Sequence, residues 1–146
     1  MKKAIFMVAV FIAAMAAMWW IVDAAEVDAK QTDNVPFVIE CTAYCNPHGN
    51  PTYSGKQTIP MYTLAGRKDW LGAVGYLYEV NDDGTIGDFI TMGEFSDTGF
   101  GNDPDGDGIG SIQDGSRIDL YVGEDRAYAL QWGVRKVYLK IVRGVG

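Results

Sequence analysis

The stretch that decides the fold is residues 93–122, GEFSDTGFGNDPDGDGIGSIQDGSRIDLYV. It begins with a half-apolar run that ends in Asp97-Thr98-Gly99, and it closes with the strand-like RIDLYV, which contains Asp119. An acidic, glycine-rich loop separates the two segments. A carboxylate in an otherwise apolar strand is costly to bury unless it is hydrogen-bonded or used in chemistry. The two carboxylates at the ends of this loop therefore form the best candidate site in the chain.

Each carboxylate also has a simpler interpretation. Asp97 lies at the end of a predicted strand, where an Asp side chain often caps a turn. Asp119 shares its strand face with Arg117 and Tyr121, because alternate residues of a strand point the same way. It could therefore be a solvent-facing residue that pairs with Arg117 or with a neighbouring Lys.

Outward from this stretch, the sequence predicts six short strands and one helix. Residues 73–80 and 85–95 flank the turn Asn81-Asp82-Asp83-Gly84 and predict a β-hairpin. Acidic residues in the first turn and Gly133 after the last predict a helix at 124–132. The remaining strands are predicted at 37–44, 59–64, 117–122 and 134–142. A mainly β chain with many glycine-rich turns favours a small six-stranded β-barrel.

The N-terminal segment differs in composition from the rest of the chain. Two lysines precede an apolar run at 4–22, and small residues follow Val22, which is typical of a signal peptide at 1–25. An uncleaved N-terminal anchor is the alternative, because the run has about the length that spans a bilayer. Residues 26–35 are predicted as a linker and residues 36–146 as the domain. The expected location is secreted or cell-wall associated.

The net charge of the chain limits the classes of molecule that it is expected to bind. The formal net charge is −7, and removing Lys2, Lys3 and Asp23 with the first 25 residues changes it to −8. Phosphate binding needs Lys and Arg, so nucleic acid is not an expected partner. Contact with a membrane is expected only through the N-terminal segment if it stays uncleaved. A neutral or amino-sugar substrate, or a cation, remains compatible with this charge.

The chain has two cysteines, Cys41 and Cys45. An extended strand would hold them roughly 13 Å apart, whereas a disulfide needs Cα atoms within about 7 Å. They could pair only if the chain turned between them. A metal site built from both cysteines and the lone His48 would lack a fourth ligand.

The loop inside the opening stretch carries a second motif. Asp103, Asp105 and Asp107 alternate before Gly108, and Asp114 follows, which fits the spacing of a calcium loop. Oxygens at alternate positions can surround one hard cation. A solvated acidic turn is the other interpretation, since Asp and Gly are ordinary turn residues.

Three parts of the chain resemble the 3D (Asp-Asp-Asp) domain family. They are Thr42-Ala43-Tyr44, then Asp97-Thr98-Gly99, and then residues 111–121 with the motif Arg117-Ile118-Asp119-Leu120-Tyr121. The segment with Trp132-Gly133 and the final strand are similar to the tail of that family. The family is similar to the catalytic domain of membrane-bound lytic transglycosylase A. The resemblance covers about residues 38–144.

The resemblance implies a double-psi β-barrel and cleavage of the glycan strand of peptidoglycan. It implies catalytic roles for Asp97 and Asp119 and substrate contacts for Thr42, Tyr44 and Thr98, and it implies no cofactor for the chemistry. The family's third aspartate has no clear counterpart here, and Asp69 and Asp88 are the candidates to replace it. Trp70, expected in a loop, is the candidate to stack on a sugar ring. A sugar-binding domain without catalysis is the alternative.

Overall fold

The computed structural model describes residues 34–144 of the chain. The elements follow one another as β1 (Phe37–Tyr44), β2 (Thr63–Ala65), a single 3-10 turn (Lys68–Trp70), β3 (Val74–Val80), β4 (Ile86–Asp97), β5 (Arg117–Tyr121), α1 (Arg126–Trp132) and β6 (Arg135–Val142). The protein is therefore mainly β, with one short α-helix among the described residues.

The six strands form one mixed sheet that closes in a ring. Their order around the ring is β1-β5-β2-β4-β3-β6, and β6 pairs with β1 to complete it. Two pairs are parallel, β1 with β5 and β2 with β4, while the other pairs are antiparallel. Each strand of the ring therefore pairs with two neighbours.

The interior of the ring is apolar because core-facing residues alternate with outward-facing ones along each strand. In β1, Ile39 and Cys41 are buried, while Glu40, Thr42 and Tyr44 alternate with them. The fully buried side chains that share this interior include Phe95, Leu64, Leu77, Ile118, Leu120, Val137 and Leu139. The polar residues of β1 and β5 are consequently free to build a site on the outer face.

The predicted second strand is shorter in the structure than in the prediction. Residues 59–62 form a turn instead, in which Tyr62 N–H donates to the Ile59 carbonyl at 3.1 Å. The Thr63 hydroxyl accepts from the Ile59 N–H at 2.8 Å, and Met61 adopts a φ of 58°. Pro60 and this turn leave only Thr63–Ala65 to pair as a strand.

The predicted helix begins two residues later than expected, at Arg126. Asp125 acts as the N-cap and accepts a hydrogen bond from the Tyr128 N–H at 3.1 Å. Glu124 stays outside the helix and accepts from the Tyr121 hydroxyl at 2.6 Å. The helix ends at Trp132 as predicted, because Gly133 follows it with a φ of 65°.

Both cysteines are free thiols in the structure, and Cys41 is fully buried. Burial, with a smaller contribution from the negative charge of Asp119, raises the pKa of the Cys41 thiol to about 12. Cys41 therefore behaves as a small apolar core residue.

Within residues 34–144, no helix is long and apolar enough to cross a membrane. The predicted signal peptide or anchor at 1–25 lies outside the described residues, as does nearly all of the predicted linker.

Candidate active site

Asp119 lies in the middle of β5 on the outer face of the ring. It is in register with Thr42 of the neighbouring parallel strand β1, and the Thr42 hydroxyl donates a hydrogen bond to its Oδ1. Ile118 and Leu120 on either side of it are buried in the core. Asp119 is therefore held on a strand with little freedom to move, beside a hydroxyl that orients it.

Asp97 ends β4 and accepts three hydrogen bonds. The backbone N–H groups of Tyr53 and Thr98 donate to its Oδ1, each at 2.9 Å. The Tyr44 hydroxyl donates to its Oδ2 at 3.1 Å. Asp97 does more than cap the local turn, because two of the three donors come from distant parts of the chain.

A β-bulge decides where Asp97 points. In the pairing of β2 with β4, Leu64 is in register with Phe95, but Ala65 is in register with Asp97, so Ser96 is the extra residue. Strict alternation would place Asp97 on the core side with Phe95. The bulge instead turns Asp97 towards the outer face, as bulges next to functional sites often do.

Strand β2 lies between the two carboxylates. Ala65 is in register with Asp97 on one side and with Asp119 on the other. Strands β4 and β5 are therefore not neighbours in the ring. At about 4.8 Å per strand, the two Asp Cα atoms are roughly 10 Å apart, with only the small Ala65 side chain between them.

Tyr44 connects Asp97 to Tyr121 of β5. Its hydroxyl donates to Asp97, and its ring packs against Tyr121 with centroids 5.4 Å apart. Burial, followed by the negative charge of Asp97, the hydrogen bond to Asp97 and the charge of Asp119, raises the pKa of the Tyr44 hydroxyl. Tyr44 therefore remains a proton donor in a hydrogen bond throughout the ordinary pH range.

The environment of Asp119 favours its protonated form. Burial is the main cause and raises the pKa of this carboxyl, with a smaller contribution from the charge of Asp97. The Thr42 hydrogen bond and the Arg117 charge oppose this effect. A partly buried acid with a raised pKa is the group that general acid catalysis requires.

The simpler interpretation of Asp119 was an ion pair with Arg117. In the structure Arg117 pairs with Glu40 instead. Its guanidinium binds Glu40 Oε2 at 2.7 Å through Nη2 and at 3.2 Å through Nε. Glu40 was not singled out from the sequence. The available signal was its spacing, since Glu40, Thr42 and Tyr44 alternate along β1 and face Arg117, Asp119 and Tyr121 of β5 in register.

Neither candidate for a third acid joins the carboxylate pair. Both oxygens of Asp69 are engaged by Arg67, at 2.9 Å and 3.1 Å. Asp88 is exposed and lies nine residues before Asp97 in the same strand, which at about 3.3 Å per residue is roughly 30 Å. The arrangement therefore joins two carboxylates, Asp97 and Asp119.

Trp70 does not present its ring to solvent as expected. It is 4% exposed, lies in the 3-10 turn, and packs against Phe95 with ring centroids 5.4 Å apart. Its role is in the core. Tyr53, which is 61% exposed and adjoins Asp97 through its backbone, is the aromatic residue that faces solvent beside the site.

A shallow groove of about 400 Å³ adjoins the site next to Asp97. It is lined by Arg67, Lys68, Asp69, Thr98 and Gln113. Thr98, whose N–H donates to Asp97, is the direct link between the groove and the carboxylate pair. Thr98, Thr42 and Tyr44 thus all lie at or beside the predicted site.

The acidic loop brings three of its four predicted ligands together. Carboxylate oxygens of Asp103, Asp105 and Asp107 lie within 4.8 Å of one another. Asp103 also accepts from the N–H groups of Gly106 at 2.8 Å and of Gly108 at 3.0 Å, which fixes the turn.

Asp114 is placed differently from these three aspartates. Its Oδ1 accepts from the Ser116 N–H at 2.7 Å, and this bond is the main cause that lowers the pKa of the Asp114 carboxyl. Cys41, Cys45 and His48 form no comparable group in the described part of the chain.

No family model matches the chain, and no curated protein matches it.

Proposed function

We propose that this protein cleaves the glycan strand of peptidoglycan by lytic transglycosylation, with Asp119 as general acid and base. The observation that carries the proposal is the placement of Asp119. Its carboxyl is partly buried, has a raised pKa and accepts a hydrogen bond from Thr42. Ala65 lies between Asp119 and Asp97. The sequence resemblance to the 3D domain family supplies the substrate class.

In this reaction a hydroxyl of the substrate itself attacks the anomeric carbon. Asp119 donates its proton to the glycosidic oxygen as the bond to the leaving sugar breaks. The resulting carboxylate then accepts the proton of the attacking hydroxyl, which regenerates the acid. One titratable group with a raised pKa therefore serves both steps, and neither water nor an enzyme nucleophile is required.

Asp97 and Tyr44 have a supporting role in the proposed mechanism. The Asp97 carboxylate is fixed by three donors, so its charge is held in place beside the developing positive charge of the sugar ring. Tyr44, which donates to Asp97 and packs on Tyr121, keeps that carboxylate aligned with β1.

We infer further that the closed ring is a double-psi β-barrel. The support is its mixed pairing, in which two parallel pairs, β1–β5 and β2–β4, occur in an otherwise antiparallel ring. The two parallel pairs hold the Thr42–Asp119 contact and the Ala65–Asp97 register, so they also build the site.

A second function has specific support. Asp69 is paired with Arg67 and Asp88 lies far along β4, so the site holds two acids where the family has three. The missing third acid would be expected in a peptidoglycan-binding or structural module without catalysis. The groove and the exposed Tyr53 ring would then serve binding alone.

We also propose a structural calcium ion in the acidic loop, held by Asp103, Asp105 and Asp107. The grouping of their oxygens and the Asp-x-Asp-x-Asp-Gly spacing support it. The ion would order the loop between β4 and β5 and take no part in the chemistry.

Peptidoglycan as substrate also places the proposed site of action outside the cytoplasmic membrane, in agreement with the predicted signal peptide.

The experiment that tests the function is a product analysis. Purified protein is incubated with peptidoglycan, and the soluble fragments are identified by mass spectrometry. Transglycosylation releases fragments with anhydro-sugar ends, whereas hydrolysis releases fragments that have gained water. Release of nothing, together with co-sedimentation of the protein with peptidoglycan, would favour the binding module.

A further inference from the structure

The groove beside Asp97 carries a cation without an acidic partner. Among the described residues, Lys56 pairs with Glu94, Arg67 pairs with Asp69 and Arg117 pairs with Glu40. Lys68 forms no such ion pair in residues 34–144. Its ammonium lies over the ring of Tyr53, 5.1 Å from the centroid.

The contacts of Tyr53 tie Lys68 to the carboxylate site. The backbone N–H of Tyr53 donates to Asp97 Oδ1, so the ring beneath Lys68 belongs to a residue that contacts Asp97 directly. The Thr98 N–H, from another residue of the groove, donates to the same oxygen. Lys68 is therefore linked to Asp97 through a single residue, Tyr53.

The rest of the groove supplies a fixed polar surface. Arg67 is neutralised by Asp69, and its aliphatic part packs over Gly115, where an added Cβ would lie 2.4 Å from Arg67 Cδ. Gln113 and Thr98 add neutral hydrogen-bonding groups. Of the three charged residues that line the groove, Lys68 is thus the one without an oppositely charged partner, in a chain whose net charge is −7.

We propose that this groove binds a carboxylate of the peptide stem that peptidoglycan glycan carries, with Lys68 as the residue that recognises it. The inference rests on the proposed function, because it names a substrate feature for the same site. A neutral sugar could accept only a hydrogen bond from this ammonium, whereas a carboxylate would also pair with its charge. A substrate carboxylate pairs with it and positions the glycan across Asp97 and Asp119.

Binding is measured first without turnover, using the Asp119→Asn protein and titration calorimetry. The probes are short peptidoglycan fragments with free stem carboxylates and the same fragments with those carboxylates amidated. The fragment with free stem carboxylates is expected to bind up to about five-fold more tightly, the upper end for an ion pair at an exposed cation. That preference should weaken as salt is raised, because salt screens exposed charges.

Adding Lys68→Gln should lower the affinity for the free acid form to that of the amidated form. Lys140→Gln is the matched control, since Lys140 lies on β6 opposite Tyr76 of β3. In the parent chain the same preference should appear in KM, with kcat unchanged.

The outcomes separate the two proposals. Equal binding of the free and amidated fragments, or an unaltered preference in Lys68→Gln, overturns the role of Lys68 and leaves the cleavage reaction standing. If neither fragment binds and the parent chain releases no fragments from peptidoglycan, then both the proposed function and this inference fail.

Discussion

Asp119 is the residue whose surroundings differ most from those of a surface carboxylate. It is partly buried between core residues, it accepts a hydrogen bond from Thr42, and Asp97 lies across β2. Burial raises the pKa of Asp119, whereas the Thr42 bond lowers it. These opposing effects make two separate predictions at the scale of single residues.

The first concerns the pH profile of glycan cleavage. Thr42→Val removes the hydroxyl that favours the ionised form of Asp119, so the pKa of Asp119 should rise further. A general acid loses activity as the pH rises through its pKa, and the alkaline limb of the rate profile should therefore move to higher pH. The limb is measured from initial rates of fragment release across the pH range.

Thr85→Val is the control for this substitution. Thr85 donates the same kind of hydroxyl-to-carboxylate bond to Asp83, at 2.6 Å, but in the hairpin turn between β3 and β4. Its profile should match the parent profile. A Thr42→Val profile that is unshifted, or shifted to lower pH, would contradict the assignment of Asp119 as the acid.

The second prediction concerns stability. Because the folded-state pKa of Asp119 lies above the ordinary value of an Asp side chain, the folded protein holds this proton more tightly than the unfolded chain. The stability from this proton is fully present below the unfolded-state pKa and is lost as the pH rises through the folded-state pKa. Asp119→Asn is neutral at every pH and escapes that loss.

Thermal unfolding of the parent and Asp119→Asn proteins at pH 3.5 and pH 7 tests this. The Tm of Asp119→Asn minus that of the parent should be larger at pH 7. An equal or smaller difference at pH 7 would show that burial does not penalise the ionised carboxylate.

At the scale of elements, β4 approaches the segment before β2 closely. The Glu94 N–H donates to the Tyr62 carbonyl at 2.9 Å, and a Cβ on Gly93 would lie 2.1 Å from that same oxygen. This contact holds β2 against β4, and β2 carries Ala65 between the two aspartates.

Gly93→Ala should therefore lower the free energy of unfolding by about 1–3 kcal/mol, the usual cost of overpacking. Urea unfolding followed by tryptophan fluorescence measures it. Gly144→Ala is the control, because an added Cβ there meets no atom within 4 Å. If Gly93→Ala were as stable as Gly144→Ala, the contact of β4 with Tyr62 would not constrain the ring.

The bulge at Ser96 is also a feature of paired elements. It explains why the site could be only partly predicted. The β-branched and aromatic residues of FVIECTAY placed β1 correctly at Phe37–Tyr44, and the Asn-Asp-Asp-Gly turn placed the hairpin. Both are local patterns. A bulge arises from the register between two distant segments, so the sequence contains no local sign that Asp97 turns outward with Ala65.

At the scale of the whole molecule, the order of strands around the ring could not be predicted, because it depends on pairing between distant segments. Asp97 and Asp119 were correctly chosen as strand-associated carboxylates, but the insertion of β2 between them depends on long-range pairing. Trp70 shows a second limit of local patterns, because it was expected to be exposed in a loop and is buried. Its neighbours Lys68 and Asp69 are polar and exposed, and only the packing of Phe37 and Phe95 around the indole reveals that it is buried.

Calcium provides a prediction at this scale, because a ligand that binds only the folded state stabilises the whole protein. Calcium at 100 times its Kd should add about 2.7 kcal/mol to the free energy of unfolding and raise the Tm. Asp105→Ala should abolish the rise, whereas Asp82→Ala, at the hairpin turn, should retain it. A chelator-treated protein that does not respond to calcium would leave the loop an acidic turn.

The proposed role of the two aspartates is tested by the rate at which four proteins release anhydro-ended fragments from peptidoglycan. The four are the parent, Asp119→Asn, Asp97→Asn and the control Asp88→Asn. We expect the first two variants to fold and to lose about 10²- to 10⁴-fold in rate, the usual worth of general acid–base catalysis. Asp88→Asn should cleave at the parent rate. Parent-like cleavage by both site variants, or no anhydro-ended fragments from the parent itself, would contradict the account.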